Sequence, residues 1–295
     1  MPRIIYVNGR YLAYGAAMVH AEDRGFQFGD GIYEVIEVRD GALIDATRHL
    51  DRLARSLGEI AMEMPMPRVA FAHVLREVVR RNRVTDGTVY LQITRGTRPR
   101  DFLFPGPEVR QTVVVVARPA SRAAADARAA TGIAVKTLAD PRWARCDIKT
   151  VMLLPASLAK EAARAEGAKE AWFVDEAGHV TEGASSNAWI VDAAGRLRTR
   201  PTDEAILRGV TRTTLIDVIS RLGLELLEEP FTIAEAKAAR EAFITAATNV
   251  VTPVIAIDGV RIGDGVPGPV SRRLRAAFHD VVERSTNEPV LARKC

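Results

Sequence analysis

Lys149 stands in the stretch RWARCDIKTVMLLPAS with Ile148, Val151, Met152, Leu153 and Leu154 around it. An ammonium in such company is partly desolvated, which lowers its pKa and yields a nucleophilic amine or a proton carrier. The same window fits a lysine that buries its stem and keeps its head in water. Glu182, in VTEGASSNAWIV, closes a strand just before Gly183 and the small polar residues Ser185, Ser186 and Asn187. A carboxylate held over a cavity at a strand end can accept a hydrogen bond from a protonated heteroaromatic nitrogen and keep that ring positive. A solvated hairpin turn would carry the same residues.

LRGVTRTTLIDVI runs from a turn at Gly209 into a helix that starts around Thr211, and ITAATNVV supplies Thr245 and Thr248 among small alanines. Amides and hydroxyls exposed at a helix start suit a phosphate ester, though each segment also fits a plain helix cap. In TRHLDRLARSLGEI, His49 and Arg52 are three apart and share a helix face. Arg52 can reach a phosphate or pair with Asp51 or Glu59. The chain has neither GxGxxG nor GxxxxGK[ST], which disfavours dinucleotides and nucleoside triphosphates. His20, His49, His73, His179 and His279 show no ligand spacing, so no metal is expected. An amine, a carboxylate, phosphate holders and an arginine are the parts of a pyridoxal phosphate site.

The elements that must position these groups arrive in blocks. RIIYVNGRYL reads as a hairpin turning at Asn8-Gly9, and GIYEVIEVRDGALI as two strands turning at Asp40-Gly41. Asp45 is expected to cap a helix whose Leu50, Leu53, Leu57 and Ile60 recur at helical spacing. VAFAHVLREVVRRN reads as a second helix, and TVYLQITRG and QTVVVVARP as strands. Residues 119–130 hold alanine and charge without a large apolar residue and read as a linker. Beyond it come the strand GIAVKTL, the helix LPASLAKEAARAEG stopped at Gly167, two hairpins, the helix entered at Gly209, and a last helix around 270–284. This order predicts an α+β protein in two lobes: residues 1–118, the linker 119–130, and residues 131–295.

Composition narrows the function classes. With 47% hydrophobic and 26% charged residues over 295 positions, the chain is a globular protein large enough for two domains. The net charge of +4 is spread along the length, and nearly all of the 41 basic residues are arginine. A nucleic-acid partner is therefore not expected. Only Cys146 and Cys295 are present, which suits a reducing, cytoplasmic location; no signal peptide or membrane span is read.

EDRGFQFGDGIYEVIEV, HLDRL, RWARCDIKT, VTEGASSN, LRGVTR and VVTPVIAIDG, in this order and spacing, resemble the fold-type IV pyridoxal phosphate transaminases, and most of all the D-amino acid (D-alanine) transaminases. The similarity runs from about residue 4 to about residue 265. It implies that Lys149 is the Schiff-base lysine and later the proton carrier, and that Glu182 pairs with the pyridine nitrogen. Arg52 would hold the phosphate, with Val210, Thr211, Ala247 and Thr248 completing its cup. Leu207 would buttress one ring face, with Ser185 near the cofactor and Tyr33 lining the substrate side. In the stretch TRGTRPRDFLFPGP, Arg100 matches the arginine that captures the substrate carboxylate, on a loop given by the neighbouring subunit of a homodimer with shared sites. Relatives carry RPRxH there, and the histidine helps hold the carboxylate; in this chain that position is Phe102.

The resemblance thus implies a ping-pong transamination from a D-amino acid to a 2-oxo acid such as pyruvate or 2-oxoglutarate. The loss of one donor at Phe102 leaves an alternative: an (R)-selective primary amine transaminase, or a D-transaminase with a relaxed demand for the carboxylate. The cofactor is pyridoxal 5'-phosphate in either case.

Overall fold

The computed structural model describes residues 3–286, so Cys295 lies outside the described residues. Two compact units are formed. Of the described residues, the first takes 3–121, the short piece Ile148–Met152, and 283–286. It contains β1 (Ile4–Val7), β2 (Arg10–Ala13), α1 (Arg24–Phe28), β3 (Gly31–Arg39), β4 (Ala42–Ile44), α2 (Ala46–Glu59), α3 (Arg68–Arg81), β5 (Gly87–Thr94) and β6 (Thr112–Pro119). Among the described residues these strands and Arg284–Ser285 make one sheet in the order Arg284–Ser285, β4, β3, β5, β6, β1, β2.

Every pairing in that sheet is antiparallel. Both hairpin turns adopt the expected conformation, with Asn8 and Asp40 at φ 46° and 50° and Gly9 and Gly41 at 88° and 75°. Alternation along β3 sends Ile32, Glu34, Ile36 and Val38 to the core face and Tyr33, Val35 and Glu37 to the other. On the core face α2 and α3 lay Leu50, Leu53, Leu57, Phe71, Leu75 and Val78 against the sheet.

The second unit, Arg122–Asp147 and Leu153–Val282, contains α4 (Arg122–Thr131), β7 (Ile133–Ala139), α5 (Leu154–Ala165), β8 (Glu170–Val174), β9 (Val180–Gly183), β10 (Asn187–Val191), β11 (Leu197–Thr199), α6 (Val210–Arg221), β12 (Leu226–Glu228), α7 (Ile233–Ala238), β13 (Glu241–Ala246), β14 (Val250–Ile257), β15 (Val260–Arg261) and α8 (Pro269–Phe278). Its mixed sheet runs β12, β11, β10, β13, β14, β7, β8, β9, with β15 added to β14. Trp172 packs with Phe231 in one apolar cluster, and Trp189 stacks on Phe243 in another that takes Leu215 from α6 and Leu274 from α8. The α+β class read from the sequence is the class observed.

Four local expectations are corrected. Asp45 does not cap α2 with its side chain: it sits at φ 52° and its carboxylate accepts from the Glu283 amide, tying the returning chain end to the first unit. The stretch that reads as a linker is mostly α4, because alanine is the strongest helix former; Ala129 is its buried residue. The last helix stops at Phe278, and Arg284–Ser285 pair with β4 instead. Finally, residues 148–152 leave the C-terminal lobe. β4 covers only Val38 and Arg39 of β3, and the open first half of that strand is filled by this piece.

Candidate active site

The residues singled out by sequence divide between the units: Lys149, Tyr33, Arg52, Arg100 and Phe102 lie in the first, and Glu182, Ser185, Leu207, Val210, Thr211, Ala247 and Thr248 in the second.

In the first unit, Lys149 is placed by backbone pairing. Tyr33 donates its amide to Lys149 O at 3.1 Å and Val151 donates to Gly31 O at 3.0 Å, with Thr150 bridged to Ile32. The half-buried ammonium thereby reaches the Tyr33 hydroxyl at 3.3 Å and lies 4.3 Å from that ring. Tyr33 in turn stacks on Tyr90 at 5.7 Å, which fixes its plane.

One strand position away, on the core face, Glu34 is fully buried and takes two guanidinium bonds from Arg52, both 2.7 Å, and one from His49 Nδ1, also 2.7 Å. Burial alone would raise the Glu34 pKa, but Arg52 and His49 outweigh it and hold it down at about 2. Burial lowers His49 more than Glu34 raises it, and the cations Arg52 and Lys149 add to the fall. Glu34 therefore orients Arg52 through two bonds. Sequence reading passed over Glu34, although it shares core parity with Ile32, Ile36 and Val38, and an acid at such a position must be paired.

Folded His49 binds its proton less readily than the unfolded chain, so stability is lost as pH falls below about 6.5. Glu34 adds stability that is present above about 4.3 and is lost as pH falls toward 2. The His49→Gln variant should lose the first slope, at most about 1.4 kcal/mol per pH unit, in urea titrations between pH 7 and 5. Equal slopes in the two proteins would contradict the assignment.

In the second unit, Glu182 is the last residue but one of β9, ahead of the turn 184–185, and is 5% exposed. It accepts from Arg142 Nη1 at 2.6 Å, Asn187 Nδ2 at 3.0 Å and the Leu207 amide at 3.1 Å. Arg142 spans to Asp140, with Nε and Nη2 at 2.9 and 2.7 Å from its two oxygens. Burial would lower the Arg142 pKa, but Asp140 and Glu182 raise it overall. Burial would raise Asp140, but Arg142 holds it low. Asp140, Arg142 and Glu182 thus form an alternating row with one net negative charge. Burial also pushes the nearby Cys146 thiol up to about 11, leaving it neutral.

Asn187 links this carboxylate to the helix start. It also donates to Leu207 O at 2.9 Å, pairs in register with Thr245, and abuts Gly209, where a Cβ would collide with its Oδ1. Gly209 then opens α6 with no side-chain cap and no acid in the first turn. The amides of Val210, Thr211 and Arg212 have no intrahelical acceptor there, a donor set that fits a phosphate. Ala247 and Thr248 occupy the turn after β13. Ser185 is exposed and donates to Glu170 at 2.9 Å. Arg142 stands first in RWARCDIKT, but its link to Glu182 carried no local signal in the sequence, since that partner is forty residues away.

Among the described residues no group of three or more His, Cys, Asp or Glu is placed to hold a metal, and no helix is long and apolar enough to cross a membrane.

Comparison with known proteins gives a consistent pattern. A model of the amino-transferase class IV family matches residues 31–257. A D-alanine aminotransferase of Staphylococcus haemolyticus is 39% identical over 95% of this chain and 98% of its own. One from Listeria monocytogenes is 35% identical over 98% and 99%. Among solved structures, the T.th. branched-chain amino acid aminotransferase with pyridoxamine 5'-phosphate superposes with a TM-score of 0.87 at 27% identity, covering 95% of this chain and 94% of that one. The Escherichia coli branched-chain enzyme, at 24% identity and a TM-score of 0.84 over 100% and 98%, shares the fold.

Proposed function

The chain belongs to the class IV aminotransferases, and from that premise we propose that it is a pyridoxal phosphate-dependent transaminase moving the amino group of a D-amino acid such as D-alanine to a 2-oxo acid. The observation that carries this reading is the end-to-end likeness to D-alanine aminotransferases, at 39% identity over 95% of the chain.

Bound pyridoxal phosphate supplies an electrophilic carbon that takes up the amino group and a ring that accepts the electron pair left when the α-hydrogen departs as a proton. The chain's own residues do the rest. Lys149 Nζ would anchor the cofactor and then carry the α-proton, and the Tyr33 hydroxyl at 3.3 Å would orient it. Glu182, held in place by Arg142 and Asn187, would accept a hydrogen bond from the ring N–H. Arg52, steered by Glu34, would hold the phosphate with the amides of Val210, Thr211 and Ala247 and the Thr248 hydroxyl. Leu207 would support a ring face, Ser185 would stand near the cofactor, and Arg100 would take the substrate carboxylate. A cytoplasmic homodimer with Arg100 serving the partner's site completes the proposal; the sparse cysteines and the family resemblance support it.

The test follows the loss of visible absorption of the loaded enzyme with D-alanine, L-alanine, L-leucine and (R)-1-phenylethylamine. D-alanine should react and the L-amino acids should not. Reaction with L-leucine alone overturns the D-amino acid reading, and reaction with the amine alone replaces the substrate class.

A further inference from the structure

Three arginines meet the loop 94–107 in different ways. Arg24, 3% exposed, binds Asp30 at 2.7 Å and turns its Nη1 to the carbonyls of Asp101 and Leu103 at 2.6 and 3.3 Å. Arg95 shares Asp30 at 2.8 Å, donates to Ile60 O at 2.7 Å, and lies 3.6 Å over the Phe104 ring. These two hold the loop in place on either side of Phe102. Arg100 differs: among the described residues it has no carboxylate partner, and its guanidinium carbon lies 5.0 Å from the Phe28 ring and 5.3 Å from the Phe102 ring. The two rings meet edge to face at 5.5 Å.

We propose that Phe28 and Phe102 are an aromatic clamp that presents Arg100 to the substrate carboxylate, which makes Phe102 a positioning residue for specificity rather than a lost donor. The inference rests on the proposed role of Arg100. A guanidinium held by ring contacts rather than by a carboxylate keeps its N–H fork unfilled, and that fork is the geometry that grips a carboxylate in two bonds. A carboxylate neighbour would instead fill that fork and compete with substrate. Unclamped, an exposed arginine samples many rotamers, and that freedom is lost on each binding event. Rings hold it ahead of binding and leave its charge uncompensated. Because Arg24 fixes the carbonyls of Asp101 and Leu103, the Phe102 backbone between them is set independently of its ring. The ring, 76% exposed, is not needed for folding.

A cation–π contact at an exposed site biases an equilibrium roughly two- to fivefold, and the freed rotamers add to that. Phe102→Leu should therefore raise KM for D-alanine about three- to tenfold with kcat unchanged and the same melting temperature. Phe28→Leu should move KM in the same direction, and Phe102→Tyr should restore the native value. Arg100→Ala serves as the reference. If Phe102→Leu keeps the native KM while Arg100→Ala raises it, the clamp is wrong and the Arg100 reading stands. If Arg100→Ala also leaves KM unchanged, both fall. A drop in kcat at constant KM in Phe102→Leu likewise overturns the clamp.

Discussion

Lys149→Ala should lower turnover of D-alanine at least about a thousandfold, the scale of a lost general acid–base group. The lysine is proposed both to anchor the cofactor and to carry the α-proton, so the two losses coincide. Two measurements separate this from misfolding. Borohydride reduction should add the cofactor's mass to the native chain and leave the variant's mass unchanged. The melting temperature should stay near native, because the half-buried ammonium gives up little beyond its contacts with the Tyr33 hydroxyl and ring. Mixing Lys149→Ala, inactive alone, with Arg100→Ala, which binds D-alanine weakly, should recover sites of native KM if the loop serves a partner's site. An active Lys149→Ala enzyme would remove the lysine from the mechanism.

The second large effect is expected at Arg142. Asp140 and Glu182 share its guanidinium, with their side chains 14% and 6% exposed. The Arg142→Met variant leaves two carboxylates facing each other without a cation. Breaking a buried pair in this way costs roughly 3 to 5 kcal/mol, and the 15% exposure of Arg142 argues for the low end, about 3 kcal/mol. One carboxylate would take up a proton to relieve the repulsion, so stability of the variant should improve as pH falls from 7 to 5. Adding Asp140→Asn should recover part of the loss, a coupling that a double-mutant cycle reads directly. Additive losses would show that Asp140 and Glu182 do not interact through Arg142. If Glu182 is the partner of the ring nitrogen, Arg142→Met should also weaken cofactor retention, while exposed substitutions such as Arg164→Met should not.

Much of this protein is legible in its residues alone. Residue order and turn chemistry set the hairpins at Asn8-Gly9 and Asp40-Gly41, because positive φ demands those residues locally. Helical spacing of Leu50, Leu53 and Leu57 sets α2, and alternation in GIYEVIEV sets β3. The anion-ready start of α6 at Gly209 is readable for the same reason: each depends on neighbours within a few positions. Lys149, Glu182 and Arg52 stand out by their residue types in context and by resemblance, although what each touches does not.

What the tertiary structure decided are the pairings across long stretches of chain. Glu34 claims Arg52 and His49, Arg142 joins Asp140 to Glu182, and Asn187 ties Glu182 to the start of α6. The piece carrying Lys149 returns to the edge of β3, although the order of elements placed it in the other lobe. The same holds for the loop of arginines and phenylalanines, whose cations and rings turn out to hold one another. Local sequence sets backbone conformation, but a buried charge is stable only beside whichever opposite charge folding delivers to it, and that identity is a property of the packed chain.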